Sequence, residues 1–318
     1  MRKILVTGAL GQIGSELTMY LRKIYGSENV IASDLRRIEG SKVLEGGPFE
    51  SVNVLNTQQM VDAITKHGVN SIIHLAAMLS ATGEANPAMA WNVNMGGLFN
   101  VLEIAREKGC SVFTPSSIAA FGPDTPKVRT PQDTLQRPTT MYGVTKVAGE
   151  LLCDYYYKKF GVDTRGVRFP GLISYETLPG GGTTDYAVHI YYDALQKKKY
   201  ASFIAEGTLM DMMYMPDALH AIASLMEADA SKLKHRNAFN IASMSFAPEH
   251  IAEEIKKHIP EFEMSYDVDP TRQAIADSWP DSLDDSAARE EWSWKPEYDL
   301  DSMTVDMLAK LREKLNLK

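Results

Sequence analysis

One turn between a strand and a helix constrains this chain more than any other stretch. Ile4, Leu5 and Val6 form a short apolar run of the kind found in buried parallel strands. A helical pattern begins at Ile13 and continues through Leu17, Tyr20, Leu21 and Ile24. Gly8, Gly11 and Gly14 lie between the two. The first suits a tight turn, the second close approach of backbone to a ligand, and the third packing of helix on strand. The free N–H groups and positive dipole end at Gln12 and Ile13 make an anion site suited to a pyrophosphate.

Glycines alone mark any turn, so the surroundings matter. A second apolar strand, Val30 to Ser33, ends in Asp34. That acid stands about 20 residues past the last glycine, where a carboxylate accepts hydrogen bonds from an adenosine ribose. It also repels a 2′-phosphate, which favours NAD over NADP, although Arg36 and Arg37 nearby work the other way. A short strand from Phe49 to Val54 would place Asn53 and Val54 over an adenine ring. Ser71 to Leu75 reads as a buried strand running into Ala76 and Ala77, small enough for cofactor to lie against backbone. His74 reads as a core histidine without an evident partner.

Composition narrows the function classes. With 318 residues the chain can bury a large core, and a net charge of −8 argues against nucleic acid or an anionic membrane as partner. No apolar run approaches membrane-spanning length, and Thr7 and Gly8 end the first run too early for a secretory signal. Cys110 and Cys153 lack metal-ligand spacing and the seven histidines form no chelating cluster, so no metal and a reduced, cytoplasmic setting are expected.

Beyond the first strands, Thr57 to Gly68 and Trp91 to Lys108 read as helices, the second continuous and capped by Gly109. Cys110 to Thr114 is a strand delivering Ser116 and Ser117 to its carboxyl edge. A proline-rich loop runs from Phe121 to Pro138, followed by a helix from Met141 to about Phe160 and a strand from Asp163 to Phe169 that Pro170-Gly171 breaks. This alternation predicts an α/β fold, a Rossmann-type doubly wound parallel sheet with a smaller C-terminal substrate-binding domain. The expected division is 1–171 for the nucleotide-binding part, with 210–245 returning to it, and 172–209 with 246–318 for the substrate part.

Tyr142 and Lys146 are four residues apart and so share a helix face. A phenol titrates at about 10 and is a poor base at neutral pH, and a fixed cation beside it favours the phenolate. Ser117 can hydrogen-bond the same substrate oxygen. By spacing alone the pair is an ordinary amphipathic surface pair. Its setting reverses that, because it opens a helix after a serine-ended strand in a chain that begins with a nucleotide turn.

Gly8-x-x-Gly11-x-x-Gly14, Asp34, His74-Leu75-Ala76-Ala77, Asn94-x-Gly96, Ser116-Ser117 and Tyr142-x-x-x-Lys146 together resemble the extended short-chain dehydrogenase/reductase family over most of the chain. The resemblance implies NAD as cofactor, Tyr142 as general acid/base, Lys146 on the nicotinamide ribose, Ser117 orienting substrate, and Leu172 among the cofactor contacts. The family's sugar-nucleotide epimerases carry an arginine for the substrate diphosphate where this chain has Met210, before Asp211 and the run to Asp217. Methionine has no anion affinity, and this Met cluster reads as core filler.

The segments Pro170 to Ser174, Pro179 to Tyr186 and Ala276 to Ser286 resemble the short-chain type of L-threonine 3-dehydrogenase. That resemblance implies Ser80, Ser117, Tyr142, Gly182, Thr183 and Thr184 around L-threonine, with Trp279 closing the pocket. Hydroxyls and glycine N–H groups can hold a small zwitterion without buried net charge. Read without the resemblance, Gly180 to Gly182 are a mobile loop and Trp279 a domain-packing aromatic. Helices 91–108 and 141–160 resemble the pair that forms a four-helix dimer interface in this family, so a homodimer is expected. A sugar-nucleotide 4-epimerase or dehydratase of the same fold, or a non-catalytic NAD-sensing regulator, remains the alternative.

Overall fold

The computed structural model describes residues 1–178 and 180–317, the side chain of Ala81 excepted. Pro179, part of one matched segment, therefore lies outside the described residues.

The short aliphatic runs become strands because helices cover both faces of the sheet they join. In chain order these are β1 (Ile4–Thr7), β2 (Val30–Asp34), β3 (Phe49–Ser51), β4 (Ser71–His74), β5 (Ser111–Phe113), β6 (Ser116–Ser117) and β7 (Thr164–Arg165). Six of them form an all-parallel sheet in the order β3-β2-β1-β4-β5-β7. The order reverses between β1 and β4, and a crevice opens outside the carboxyl ends there. The fold class expected from the sequence is the one observed.

The helices are α1 (Gln12–Tyr25), α2 (Lys42–Glu45), α3 (Thr57–His67), α4 (Ser80–Ala85), α5 (Pro87–Trp91), α6 (Gly97–Lys108) and α7 (Met141–Phe160). After them come α8 (Tyr186–Lys197), α9 (Met215–Glu227), α10 (Pro248–His258), α11 (Pro270–Ala276), α12 (Ser286–Trp292) and α13 (Leu300–Lys314). On one face of the sheet, Leu17 and Leu21 of α1 pack with Ala218, Ile222 and Leu225 of α9, joined by Trp292 of α12. On the other, Ile64, Leu98, Val101, Leu102 and Cys153 of α3, α6 and α7 pack on Leu5, Ile31 and Ile72.

The sheet is interrupted where the sequence suggests one strand over 163–169. Pro115 has no N–H for the ladder, and a Cβ at Gly166 would lie 2.3 Å from the Thr114 carbonyl oxygen. The chain therefore steps at both places. β6 continues beside β8 (Val167–Phe169) in a small parallel sheet. The remaining strands are β9 (Gly171–Ile173), β10 (Lys199–Ser202), β11 (Met210–Tyr214), β12 (Phe239–Asn240), β13 (Met244–Phe246) and β14 (Glu263–Tyr266). β12 completes the small sheet, β11 lies between β9 and β13, and β10 pairs with β14. Pro170 thus ends β8, but the chain runs on into β9 of another sheet.

A separate core holds the C-terminal part together. Tyr186, Ile190 and Tyr191 of α8, Met210 and Met212 of β11, Ile251 and Ile255 of α10, and Met307 and Leu311 of α13 form it. The methionines of β11 are fully buried, in keeping with their reading as core filler.

Helix 91–108 is also not continuous. Residues Asn92–Gly96 form a wider π turn between α5 and α6. Asn94 lies within it: its amide donates to the Met78 carbonyl (3.1 Å) and to Thr145 Oγ1 (3.1 Å), and its carbonyl accepts from Met78 N (2.7 Å). Such widened turns mark functional regions, and this one lies at the inner end of the crevice.

Candidate active site

The glycine turn has the geometry a dinucleotide requires. Gly8 has φ +68, and a Cβ there would stand 2.7 Å from Ala76 N, while one at Gly14 would stand 2.1 Å from Gly8 O. No side chain fits at either place, so α1 begins with open N–H groups at Gln12 and Ile13. Beside the turn a cleft of about 350 Å³ is lined by Gly8, Gly11, Asp34, Asn53, Val54, Leu75, Ala76 and Ala77, with Leu55 and Val93. Leu75, Ala76 and Ala77 also line a second, smaller cavity that reaches Ser116 and Lys146. Leu172 lies on β9, packed against the core under α1 and α9. Leu75, Ala76 and Ala77 border both, so the two cavities lie side by side between Asp34 and Lys146, and the residues present fit NAD.

Asp34 is fixed before any ribose arrives. Its Oδ2 accepts from Leu10 N (3.1 Å) and its Oδ1 from Arg36 N (3.1 Å), which shapes the turn. Each carboxylate oxygen keeps a further lone pair for a hydroxyl. Asp34→Ser is expected to weaken NAD binding about tenfold or more, the loss of a charge-assisted hydrogen bond, and to narrow the preference for NAD over NADP. Calorimetric titration with both nucleotides checks this, and an unchanged preference would contradict it.

The candidate acid/base pair Tyr142 and Lys146 lies together at the start of α7. Thr140 caps α7 by accepting from Gly143 N (3.1 Å), which fixes the turn carrying Tyr142. Gly143 is required: a Cβ there would lie 2.2 Å from Ala119 O. Lys146 Nζ sits 5.2 Å from the Tyr142 ring centroid and donates to the Pro115 carbonyl at 2.7 Å. The proline that breaks the ladder so presents an oxygen that holds the ammonium. Thr145 Oγ1 donates to the Tyr142 carbonyl, and neither contact engages the phenol oxygen.

Ser117 ends β6, and its Oγ accepts from Ala119 N (3.2 Å), leaving its hydroxyl hydrogen free to donate. His74 does have a partner: Thr7 Oγ1 lies 2.8 Å from its Nδ1. Burial, with the Lys146 charge adding to it, pushes this imidazole down to about 3, so it stays neutral.

The other candidate substrate residues lie on three separate segments. Ser80 opens α4, an element with no clear sequence pattern, and Glu84 of that helix accepts from Met141 N (2.5 Å) at the start of α7. Thr183 and Thr184 begin a short 3₁₀ turn, and Thr184 packs over Gly171 of β9. The glycine N–H groups are not free to bind substrate as expected: Gly181 N and Gly182 N donate to Asp185 Oδ2 at 2.7 and 2.5 Å. Trp279 packs beside Ile118 and Phe121, just after Ser117. Its segment is strapped down by Leu283 N donating to buried Asp211 (2.8 Å), whose carboxyl burial pushes up to about 7.

Sequence reasoning missed the support beneath this machinery. Glu150 lies four residues past Lys146 on the same helix face, and that spacing was the available signal. It pairs with Arg168 through Nε (3.0 Å) and Nη2 (2.8 Å) and accepts from Ser116 Oγ; both ionic side chains are buried. Arg168 Nη1 also donates to Gln132 O and Asn240 Oδ1. The network ties α7 to the strand that carries Ser117.

Residues 4–242 match the model of the NAD dependent epimerase/dehydratase family. The chain belongs to that family. It is 57% identical over 320 residues to an uncharacterized epimerase/dehydratase of Staphylococcus saprophyticus, covering 100% of both chains. Among solved structures it is similar to L-threonine dehydrogenase from Clostridium difficile, with 66% identity, a TM-score of 0.98 and coverage of 99% of this chain and 98% of that one. The holo form of L-threonine dehydrogenase from Cupriavidus necator is 51% identical, with a TM-score of 0.94 over 97% and 99% of the two chains. Family membership makes this an NAD-dependent enzyme. Among the described residues no helix is long and apolar enough to cross a membrane, and no cluster of metal-ligating side chains is present.

Proposed function

We propose that this chain oxidises the C3 hydroxyl of L-threonine to 2-amino-3-oxobutanoate with NAD. The observation that carries the reading is Lys146, anchored on Pro115 O, set 5.2 Å from the Tyr142 ring and lining the cavity next to the glycine-turn cleft. The L-threonine dehydrogenase structures it resembles support the choice of substrate.

Tyr142, as phenolate, takes the hydroxyl proton of threonine. Lys146 stabilises that phenolate electrostatically, and Ser117 donates to the same oxygen as it becomes a carbonyl. Gly8, Gly11, Gln12, Ile13 and Gly14 would hold the pyrophosphate of NAD, Asp34 its adenosine ribose, and Asn53 and Val54 its adenine. When bound, the nicotinamide supplies the acceptor for the C3 hydrogen and its electron pair. Ser80, Thr183 and Thr184 offer hydroxyls to the zwitterion, with Trp279 above. Asp185 already occupies the Gly181 and Gly182 N–H groups.

A diphosphate substrate is disfavoured by Met210, which is fully buried in the C-terminal core and presents no cation. NADH absorbance after adding NAD and L-threonine, beside a panel of UDP- and dTDP-sugars, tests the choice. NADH formed with threonine supports the reading; turnover of a nucleotide sugar without net NADH, or NAD binding with no turnover, overturns it.

The reading includes a homodimer and a cytoplasmic setting, the latter supported by the buried free thiols Cys110 and Cys153. Val144, Leu151 and Tyr155 form an exposed stripe on α7, and Met89, Trp91 and Phe99 are exposed on the neighbouring helices. An apolar face of this kind marks an interaction surface, and two such helix pairs would bury each other. Leu151→Glu is expected to shift sedimentation from dimer to monomer. Monomeric behaviour of the unaltered protein would contradict the assignment.

A further inference from the structure

Between the cofactor helix and the substrate segment lies a polar contact that the reaction above does not use. Glu16 stands on α1 one turn beyond Gln12, about 6 Å along the axis from the phosphate-binding end. Ser174 is fully buried and is the first residue after β9, at the head of the segment leading to Thr183 and Thr184. Ser174 Oγ donates to Glu16 Oε1 at 2.5 Å and accepts from Glu176 N at 3.0 Å. From the other side Lys314 of α13 donates to the carbonyls of Tyr175 and Glu176, both at 2.8 Å, and to the Tyr192 hydroxyl. Residues 174–176 are thus clamped between the cofactor helix and the C-terminal part.

We infer that Glu16 is a positioning residue whose hydrogen bond to Ser174 couples the cofactor helix to the substrate segment and loosens when Glu16 takes up a proton. The inference rests on the threonine-site reading for its catalytic consequence, though not for the contact itself. Ionised, Glu16 accepts a charge-assisted bond from Ser174, roughly twice as strong as a neutral one. Protonated, it keeps only a neutral contact.

Burial pushes the Glu16 carboxyl up to about 7, with Glu176 adding to the rise and Ser174 and Lys314 opposing it. It forms part of the wall of a groove of about 610 Å³ that Tyr20, Lys23, Lys42, Tyr175 and Glu176 also line. Lys42 and Glu176 form an ion pair at 3.5 Å. A proton can therefore come and go without unfolding. A pyrophosphate at the start of α1 is a second anion close by and raises the proton affinity of Glu16 further. By reciprocity, taking up that proton tightens cofactor binding.

Amide hydrogen exchange over residues 174–178 of the full chain, without substrate, tests the contact directly. After correction for intrinsic base catalysis, protection is expected to rise severalfold with pH, with a midpoint at about 7. In Glu16→Gln the protection should become independent of pH, and in Ser174→Ala it should be low throughout. The KM for threonine is expected to rise in Glu16→Gln with kcat nearly kept. Protection that ignores pH in the unaltered protein, or that titrates equally in Glu16→Gln, overturns the inference. Absence of threonine oxidation would instead count against the substrate reading, since the exchange measurement needs no turnover.

Discussion

Tyr142→Phe is expected to lower kcat by about two to four orders of magnitude, the usual worth of a positioned acid/base group. Its Kd for NAD should stay within about twofold, because the residues proposed for the adenosine and pyrophosphate are untouched. The fold should also survive. Tyr142 is held through its ring, under the Lys146 ammonium, and through its backbone carbonyl, and phenylalanine keeps both features. Lys146→Met gives the complementary test. It removes the charge that stabilises the phenolate and the anchor on Pro115 O, so both kcat and its pH dependence should change. Initial rates paired with calorimetric NAD titration separate the two effects. Full activity in Tyr142→Phe would remove the tyrosine from the reaction.

Glu150→Ala is expected to be the most damaging single change to stability. It leaves the Arg168 guanidinium buried opposite an empty site and strands Ser116 Oγ. Breaking one side of a buried ion pair costs about 3–5 kcal/mol. At roughly 2–4 °C per kcal/mol for domains of 150–250 residues, Tm should fall by roughly 10 °C. Replacing both partners with methionine should cost less than either single change, because no lone charge remains. Thermal melts of Glu150→Met, Arg168→Met and the variant carrying both check this by a double-mutant cycle. Equal and additive losses would mean that the pair is not a unit. Loss of activity beyond the loss of folded protein would show that the pair also sets the distance between Ser117 and Tyr142.

The parts of the fold that were legible are those dictated locally. The strand and helix around Gly8 and Gly14 follow from conformations and close approaches that only glycine allows. The strand ending in Asp34 and the helix face carrying Tyr142 and Lys146 follow from periodicity and spacing. What escaped was set by contacts between distant residues. Nothing between 91 and 108 announces a π turn, whose Asn94 bonds to the distant Met78 and Thr145. The step at Gly166 depends on how close the Thr114 carbonyl comes. The pairing of β10 with β14 joins segments some sixty residues apart, with no pattern in either to signal it.

The candidate site divides the same way. The spacing of the proposed acid/base pair is readable in the sequence, but the supports beneath it, Pro115 O under Lys146 and Arg168 against Glu150, appear only once the chain is folded. Read as a bare loop, residues 180–182 offer their glycine N–H groups to substrate. The structure gives those of Gly181 and Gly182 to Asp185, four and three residues further on.

The most direct test of the central claim uses L-threonine deuterated at C3, mixed with the purified protein and NAD. The expected result is reduced nicotinamide carrying the deuterium, together with 2-amino-3-oxobutanoate, and a slower rate than with ordinary threonine. Reduced nicotinamide free of deuterium, or none at all from a protein that binds NAD, would contradict it.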